Sequence, residues 1–281
     1  MEKTFLANFN DAAGIYSVGE VFDGDASYTC GYQGSLDGIL NYPLYYPLIN
    51  AFQSTSGSIS ALTSAISDIK GDCPDSTLLG TFSENHDNAR FASKTQDLSV
   101  RSLYTPLNAT RLTRSQLAKN VATVTILHDG IPIIYAGQEQ HYSGGDDPSN
   151  REATWLSGYS TTSPLYTHIA KLNQIRNKAI NDLADDYLTY KSIVLYSSAN
   201  ALALRKASVI TIVNNMGEQG GDNTFTLENT GFSEGEEVVE VLTCGSATAG
   251  NGGNLGVGLS KGLPQAWYPA GMLAGSGICG K

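Results

Sequence analysis

The chain has 281 residues, 41% hydrophobic and 16% charged, a globular composition large enough for one large or two ordinary domains. Its formal net charge of −10 argues against a nucleic-acid partner, whose phosphates demand a basic footprint. The apolar run 121–127 is far too short to cross a membrane, so no membrane partner is expected either.

In chain order, residues 1–13 carry helix formers and read as the end of a helix. A short β-branched and aromatic run, 15–18, predicts a strand with Glu20 at its tip. Residues 27–33, rich in Tyr and Gly and including Cys30, read as loop. A strand is expected at 38–41, then an aromatic helix, 42–52, interrupted by Pro43 and Pro47. Ile59, Leu62, Ala65, Ile66 and Ile69 recur at helical spacing and predict an amphipathic helix over 58–70 packing on a sheet. The apolar run 78–82 predicts the next strand, and a polar stretch, Ser83-Glu84-Asn85-His86-Asp87-Asn88, follows it. A helix at 117–127, a strand at 131–135 and a helix at 164–179 complete the alternation. Four strands interleaved with helices mean parallel βαβ units.

From about residue 187 the pattern changes. Short β-rich runs at 187–190, 193–197, 201–206, 209–214, 223–227, 237–242 and 265–268 are punctuated by Gly and Asn, most densely at 244–258. This predicts an antiparallel sandwich with no catalytic constellation.

The chemistry lies at two strand ends. In α/β enzymes ligands bind where parallel strands end, so acids and a His placed there are site candidates. Glu20 stands in Gly19-Glu20-Val21-Phe22-Asp23-Gly24-Asp25, and Asp87 in Glu84-Asn85-His86-Asp87-Asn88. Either acid alone could be a loop residue or a helix N-cap; the two together suggest paired carboxylate chemistry.

These two blocks resemble signature blocks of the α-amylase family, glycoside hydrolase family 13. Asp37-Gly38-Ile39-Leu40-Asn41-Tyr42-Pro43, Gly130-Ile131-Pro132-Ile133-Ile134-Tyr135-Ala136-Gly137-Gln138-Glu139 and Asn150-Arg151-Glu152-Ala153-Thr154-Trp155 extend the likeness to secreted fungal members over nearly the whole chain. The resemblance implies the C-terminal half of a (β/α)8 TIM barrel at 1–183, its fifth to eighth units, followed by an antiparallel β-sandwich domain at 187–281. It implies endo-hydrolysis of α-1,4-glucosidic bonds in starch or maltooligosaccharide with retention, in a monomeric secreted enzyme. A retaining glycosidase needs a nucleophile and a general acid/base about 5 Å apart. The resemblance makes Glu20 the acid/base, kept protonated by burial or a nearby negative charge, and Asp87 the acid that orients sugar hydroxyls across the cleft from it. His86 would hydrogen-bond a sugar hydroxyl, Phe22 and Gly24 would line the product side, and Asp147 and Arg151 would contact a sugar further along. An Asp–Arg pair serves equally well as a structural ion pair.

The same comparison implies what is missing. The family nucleophile is an Asp in a block of the form Arg-x-Asp-x-x-x-His, and no Asp of this sequence matches it. Calcium is implied by the family, but its main ligands are not in this chain, so no metal ligand is assigned. The chain is therefore expected to be a fragment, inactive alone, with a non-catalytic glucan-binding protein and a related transglycosylase as alternatives. Four Cys, at 30, 73, 244 and 279, allow three connectivities, and no CxxC spacing suggests zinc. The resemblance pairs Cys30 with Cys73 and Cys244 with Cys279, which implies an oxidising, secretory setting. Yet the first residues, Met1-Glu2-Lys3-Thr4-Phe5-Leu6, lack a signal-peptide core. Residues 100–116, with Arg101, Arg111 and Arg114, form an insert that the family pattern lacks. It reads as a surface loop or as a translated intron, since Val codons begin GT and Gln can be CAG.

Overall fold

The computed structural model describes residues 2–95, 116–183 and 185–281, so residues 100–115 of the insert lie outside the described residues. Helix α1, Lys3–Ala13, leads to strand β1, Val18–Gly19. Then come α2, Ala26–Cys30, β2, Gly38–Ile39, α3, Tyr42–Phe52, and α4, Ile59–Asp72. Strand β3, Gly80–Phe82, is followed by α5, Phe91–Lys94, α6, Gln116–Leu127, and β4, Ile131–Ile133. Two helices, α7, Pro164–Leu183, and α8, Asp185–Thr189, complete this part. β1 pairs with β2 and β3 with β4, both parallel, and a parallel bridge from Leu40 to Gly80 joins the two pairs. The result is four parallel strands in chain order, backed by helices: part of an α/β barrel.

Local chemistry explains several helix starts. Ser58 caps α4 by accepting from the Ala61 N–H at 3.1 Å, and Asn41 caps α3 by accepting from the Leu44 N–H at 3.2 Å. Helix α3 is not interrupted at its prolines. Pro43 lies in the first turn, where no intrahelical N–H bond is lost, and Pro47 is carried inside a helix buried on most sides. The 27–33 stretch is not all loop: Asp25 accepts from the Tyr28 N–H at 2.9 Å and starts α2.

The second part holds β5, Ile193–Ser197, β6, Ala201–Lys206, β7, Val209–Asn214, β8, Asn223–Leu227, β9, Glu237–Glu240, β10, Gly245–Thr248, β11, Leu255–Leu259, and β12, Gln265–Pro269. Six of them form an antiparallel sheet in the order β10-β9-β12-β7-β6-β5, and β11 pairs with β8 in an antiparallel ribbon. Two readings of the sequence are corrected here. The run 187–190 is not a strand: Tyr187 belongs to α8 and is fully buried, packing near Arg176 and Lys206. The Gly-rich stretch 244–258 hides two strands. In β11, buried Leu255, Val257 and Leu259 alternate with exposed Gly256 and Gly258.

The layers share their cores. Leu202, Leu204 and Val213 pack with α3, α4 and α6, whereas Ala201, Ala203, Ile210 and Ile212 pack with Leu227, Leu255 and Val257 of the ribbon. The six-stranded sheet is thus covered by helices on one face and by the ribbon on the other. A buried ion pair reinforces the joint: Lys206 Nζ lies 3.0 Å from Asp129 Oδ1, which also accepts from the Ser192 hydroxyl at 2.7 Å. Cys30 is bonded to Cys73 and Cys244 to Cys279, with Cα separations of 4.7 and 5.3 Å. The two bridges close loops with sequence separations of 43 and 35 residues, each worth on the order of 3–4 kcal/mol.

Candidate active site

The carboxyl ends of β1, β3 and β4 feed three loops that meet on one side of the sheet. Glu20 directly follows β1 and is exposed rather than buried. The hydroxyl of Tyr42, from the first turn of α3, donates to Glu20 Oε1 at 2.8 Å. That hydroxyl in turn accepts from Asn85 Nδ2 at 2.8 Å. Burial and then the Glu20 bond push the Tyr42 phenol far above its ordinary range, with the negative charges of Glu20 and Asp87 adding to the effect. The hydroxyl therefore stays a donor. Asn85 Oδ1 accepts from the Asp87 N–H at 3.2 Å and the Asn88 N–H at 2.9 Å, an Asx-type turn that sets the loop after β3. Glu20 and Asp87 are thereby linked through Tyr42 and Asn85.

Asp87 lies among charged neighbours. His86 Nε2 is 3.4 Å and Arg151 Nη2 3.5 Å from Asp87 Oδ1, and Arg151 Nε is 2.9 Å from Asp147 Oδ1. His86, Asp87, Asp147 and Arg151 are thus brought together. These groups are largely open to solvent, and exposed pairs of this kind are individually weak. Phe22, 56% exposed, sets its ring 4.6 Å from that of Tyr42, which places it beside Glu20. At Gly24 a Cβ would come within 2.9 Å of Tyr46 Cδ2, so the backbone there approaches an aromatic ring that a side chain would displace.

Beneath the exposed groups sits a buried cluster that sequence reasoning did not assign. Arg90, with no exposure, donates from Nη1 to Glu84 Oε2 at 3.1 Å and from Nε to Glu152 Oε2 at 2.7 Å. One guanidinium serves two carboxylates. Burial pushes the Glu84 carboxyl up to about 7, Arg90 opposes this, and the Glu152 charge adds to it. The signals were present in the sequence: Glu84 opens the His86–Asp87 block, Glu152 follows Arg151, and Tyr42 stands next to last in the Asp37 block. None of them says which side chains point inward. Among the described residues, no group of three or more His, Cys, Asp or Glu could hold a metal ion.

Residues 2–213 match the family described as "Alpha amylase, catalytic domain", and residues 194–281 match "Alpha-amylase, domain C". Alpha-amylase 1 of Schwanniomyces occidentalis is 48% identical over 284 residues, covering 99% of this chain and 52% of that protein. Alpha-amylase 1 of Lipomyces kononenkoae is 52% identical over 283 residues, with 99% of this chain and 42% of that protein covered. An α-amylase structure from Malbranchea cinnamomea, 50% identical, superposes with a TM-score of 0.91 over 100% of this chain and 56% of that chain. This chain spans about half the length of the relatives it matches. With a catalytic-domain match over most of its length and parallel strands ending in linked carboxylates, the chain belongs to the α-amylase family.

Proposed function

We propose that this chain carries the acid/base and much of the sugar-holding surface of an α-amylase-type glycoside hydrolase, which cleaves α-1,4-glucosidic bonds in starch and related glucans with retention. The observation that carries the reading is the link from Glu20 through Tyr42 and Asn85 to the Asp87 loop, at the carboxyl ends of parallel strands. In this reading Glu20 protonates the leaving oxygen and later deprotonates water. Asp87 and His86 orient sugar hydroxyls, Asp147 and Arg151 hold a sugar further along, and Phe22 and Gly24 line the product side. Residues 1–183 form the barrel part and 187–281 the β-sandwich domain. Starch or a maltooligosaccharide is the partner. The protein acts as a secreted monomer, in keeping with its two disulfides.

Retention also needs a nucleophile, and no Asp of this chain stands in an Arg-x-Asp-x-x-x-His block. The expected outcome is that residues 1–281 alone release no reducing sugar from soluble starch, because losing a nucleophile removes several orders of magnitude of rate. Activity should appear when the chain is co-expressed with the portion of the Schwanniomyces occidentalis enzyme that it does not span, and Glu20→Gln should abolish it. Robust turnover by the isolated chain that Glu20→Gln removes would reveal an unrecognised nucleophile. The missing block also favours a second reading, a non-catalytic glucan-binding protein. It would show as maltooligosaccharide binding with no turnover even after co-expression.

A further inference from the structure

The buried guanidinium of Arg90 does more than neutralise a carboxylate. Its Nη2 donates to the Ala136 carbonyl at 2.9 Å and its Nε to the Asn150 carbonyl at 3.1 Å, besides the bonds to Glu84 and Glu152. Its backbone N–H donates to the Gly144 carbonyl at 3.0 Å, and its guanidinium carbon lies 4.2 Å from the Tyr135 ring centroid. Each carboxylate makes a second bond. Glu84 Oε1 accepts from the Phe91 N–H at 3.2 Å, and Glu152 Oε1 from the Gly144 N–H at 2.6 Å. At Gly144 a Cβ would stand 1.9 Å from the Ser149 carbonyl oxygen, so this loop folds tightly on itself. The bonds from Arg90 to Ala136, Gly144, Asn150 and Glu152 therefore tie the loop after β3 to the loop after β4, while those of Glu84 to Arg90 and Phe91 and of Glu152 to Gly144 brace each loop internally. Asn150 continues the pattern towards the surface, its Nδ2 donating to the His86 carbonyl at 3.0 Å and the Asn88 carbonyl at 2.8 Å.

Well-packed apolar side chains would hold two loops together at no loss of stability, and often at a gain. A buried cluster of two carboxylates on one guanidinium instead specifies a geometry. We propose that Arg90 is a positioning residue that fixes the loop bearing His86 and Asp87 against the loop bearing Asp147 and Arg151, so that a glucan chain meets one rigid edge. The ligand class in this proposal rests on the glucan reading above; the coupling of the loops does not.

The test uses residues 1–281 with maltoheptaose as the probe. Affinity, amide hydrogen exchange and Tm are measured for the wild type, Arg90→Met, Arg90→Lys and Asn150→Ala. Arg90→Met should speed exchange at 85–88 and 144–151 and weaken maltoheptaose binding by about tenfold or more, since small displacements of positioning groups are costly. Exchange elsewhere should be unchanged. Arg90→Lys should recover part of both effects. Asn150→Ala, which leaves the buried charges in place, should loosen 85–88 with little change in Tm. If Arg90→Met does not fold, Arg90→Lys and Asn150→Ala decide. Folded variants with wild-type exchange in both loops overturn the proposal. A wild type that binds no maltoheptaose overturns the glucan reading, while loop exchange still decides whether Arg90 couples the loops.

Discussion

The two parts of this molecule solve the same problem, burying a sheet, in opposite ways. In the antiparallel part, β6 and β7 are six residues long and buried almost throughout, with helices on one face and the ribbon on the other. In the parallel part, strands are two or three residues long, and large apolar side chains stand open at both edges. Val18 on β1 is 50% exposed, and Ile131 and Ile133 on β4 are 40% and 37% exposed. Unpaired strand edges are a liability, yet these strands carry the candidate site. The part with no catalytic candidates is the better enclosed, and the part with the candidate site leans on it. A scaffold of rigid elements presenting functional loops works only if the scaffold is anchored elsewhere. Here the anchor is the helix-facing side of the antiparallel sheet.

That division can be tested first at the joint. Asp129 is held down to about 2: burial alone would raise it, but the His128 and Lys206 charges and the Ser192 bonds outweigh burial. Asp129→Asn leaves Lys206 charged and buried, so it should cost roughly 3–5 kcal/mol by chemical denaturation. It should also split the unfolding transitions of the two parts. A loss below about 1 kcal/mol would show that the joint is held by packing alone. Within the anchoring sheet, fully buried Ile212 faces the ribbon. Ile212→Ala should cost about 2–4 kcal/mol.

The buried cluster below the site has its own pH signature. Glu84 has a folded-state value of about 7, above its unfolded value of 4.5. Its contribution to stability is therefore fully present below the unfolded value and is lost as pH rises through about 7. Stability should fall by on the order of 2 kcal/mol between pH 5 and pH 7.5, and Glu84→Gln should flatten that fall. An unchanged slope in the variant would remove Glu84 as its source. The smallest effect is expected at the open edge, where Ile133→Ala should cost less than about 1 kcal/mol because the side chain is only partly buried. A loss as large as that of Ile212→Ala would erase the contrast between the two parts.

Much of this was legible in the sequence for physical reasons that act locally. Helical spacing of Ile59, Leu62, Ile66 and Ile69 placed α4, and the alternation of apolar runs with helical patterns announced parallel strands. Motif identity marked Glu20, His86, Asp87, Asp147 and Arg151 as candidates without any coordinates. Where reading failed, a distant partner had decided the outcome. Tyr187, aromatic in a strand-like run, became helical because its burial beside Arg176 and Lys206 outweighs its β preference. Strand β11 escaped because its glycines conceal a period-two pattern that only pairing with β8 reveals.

Periodicity, the strand-end acids and the family could be read from the sequence, since these depend on residues near one another in the chain. Only the tertiary structure could decide that Tyr42 joins Glu20 to Asn85, 22 and 43 residues away from it, or that Arg90 meets Glu152 across 62 residues. A hydrogen bond depends on distance and direction in space, and a buried charge is tolerable only with its partners in place. Those conditions exist only once the strands have paired and the loops have closed.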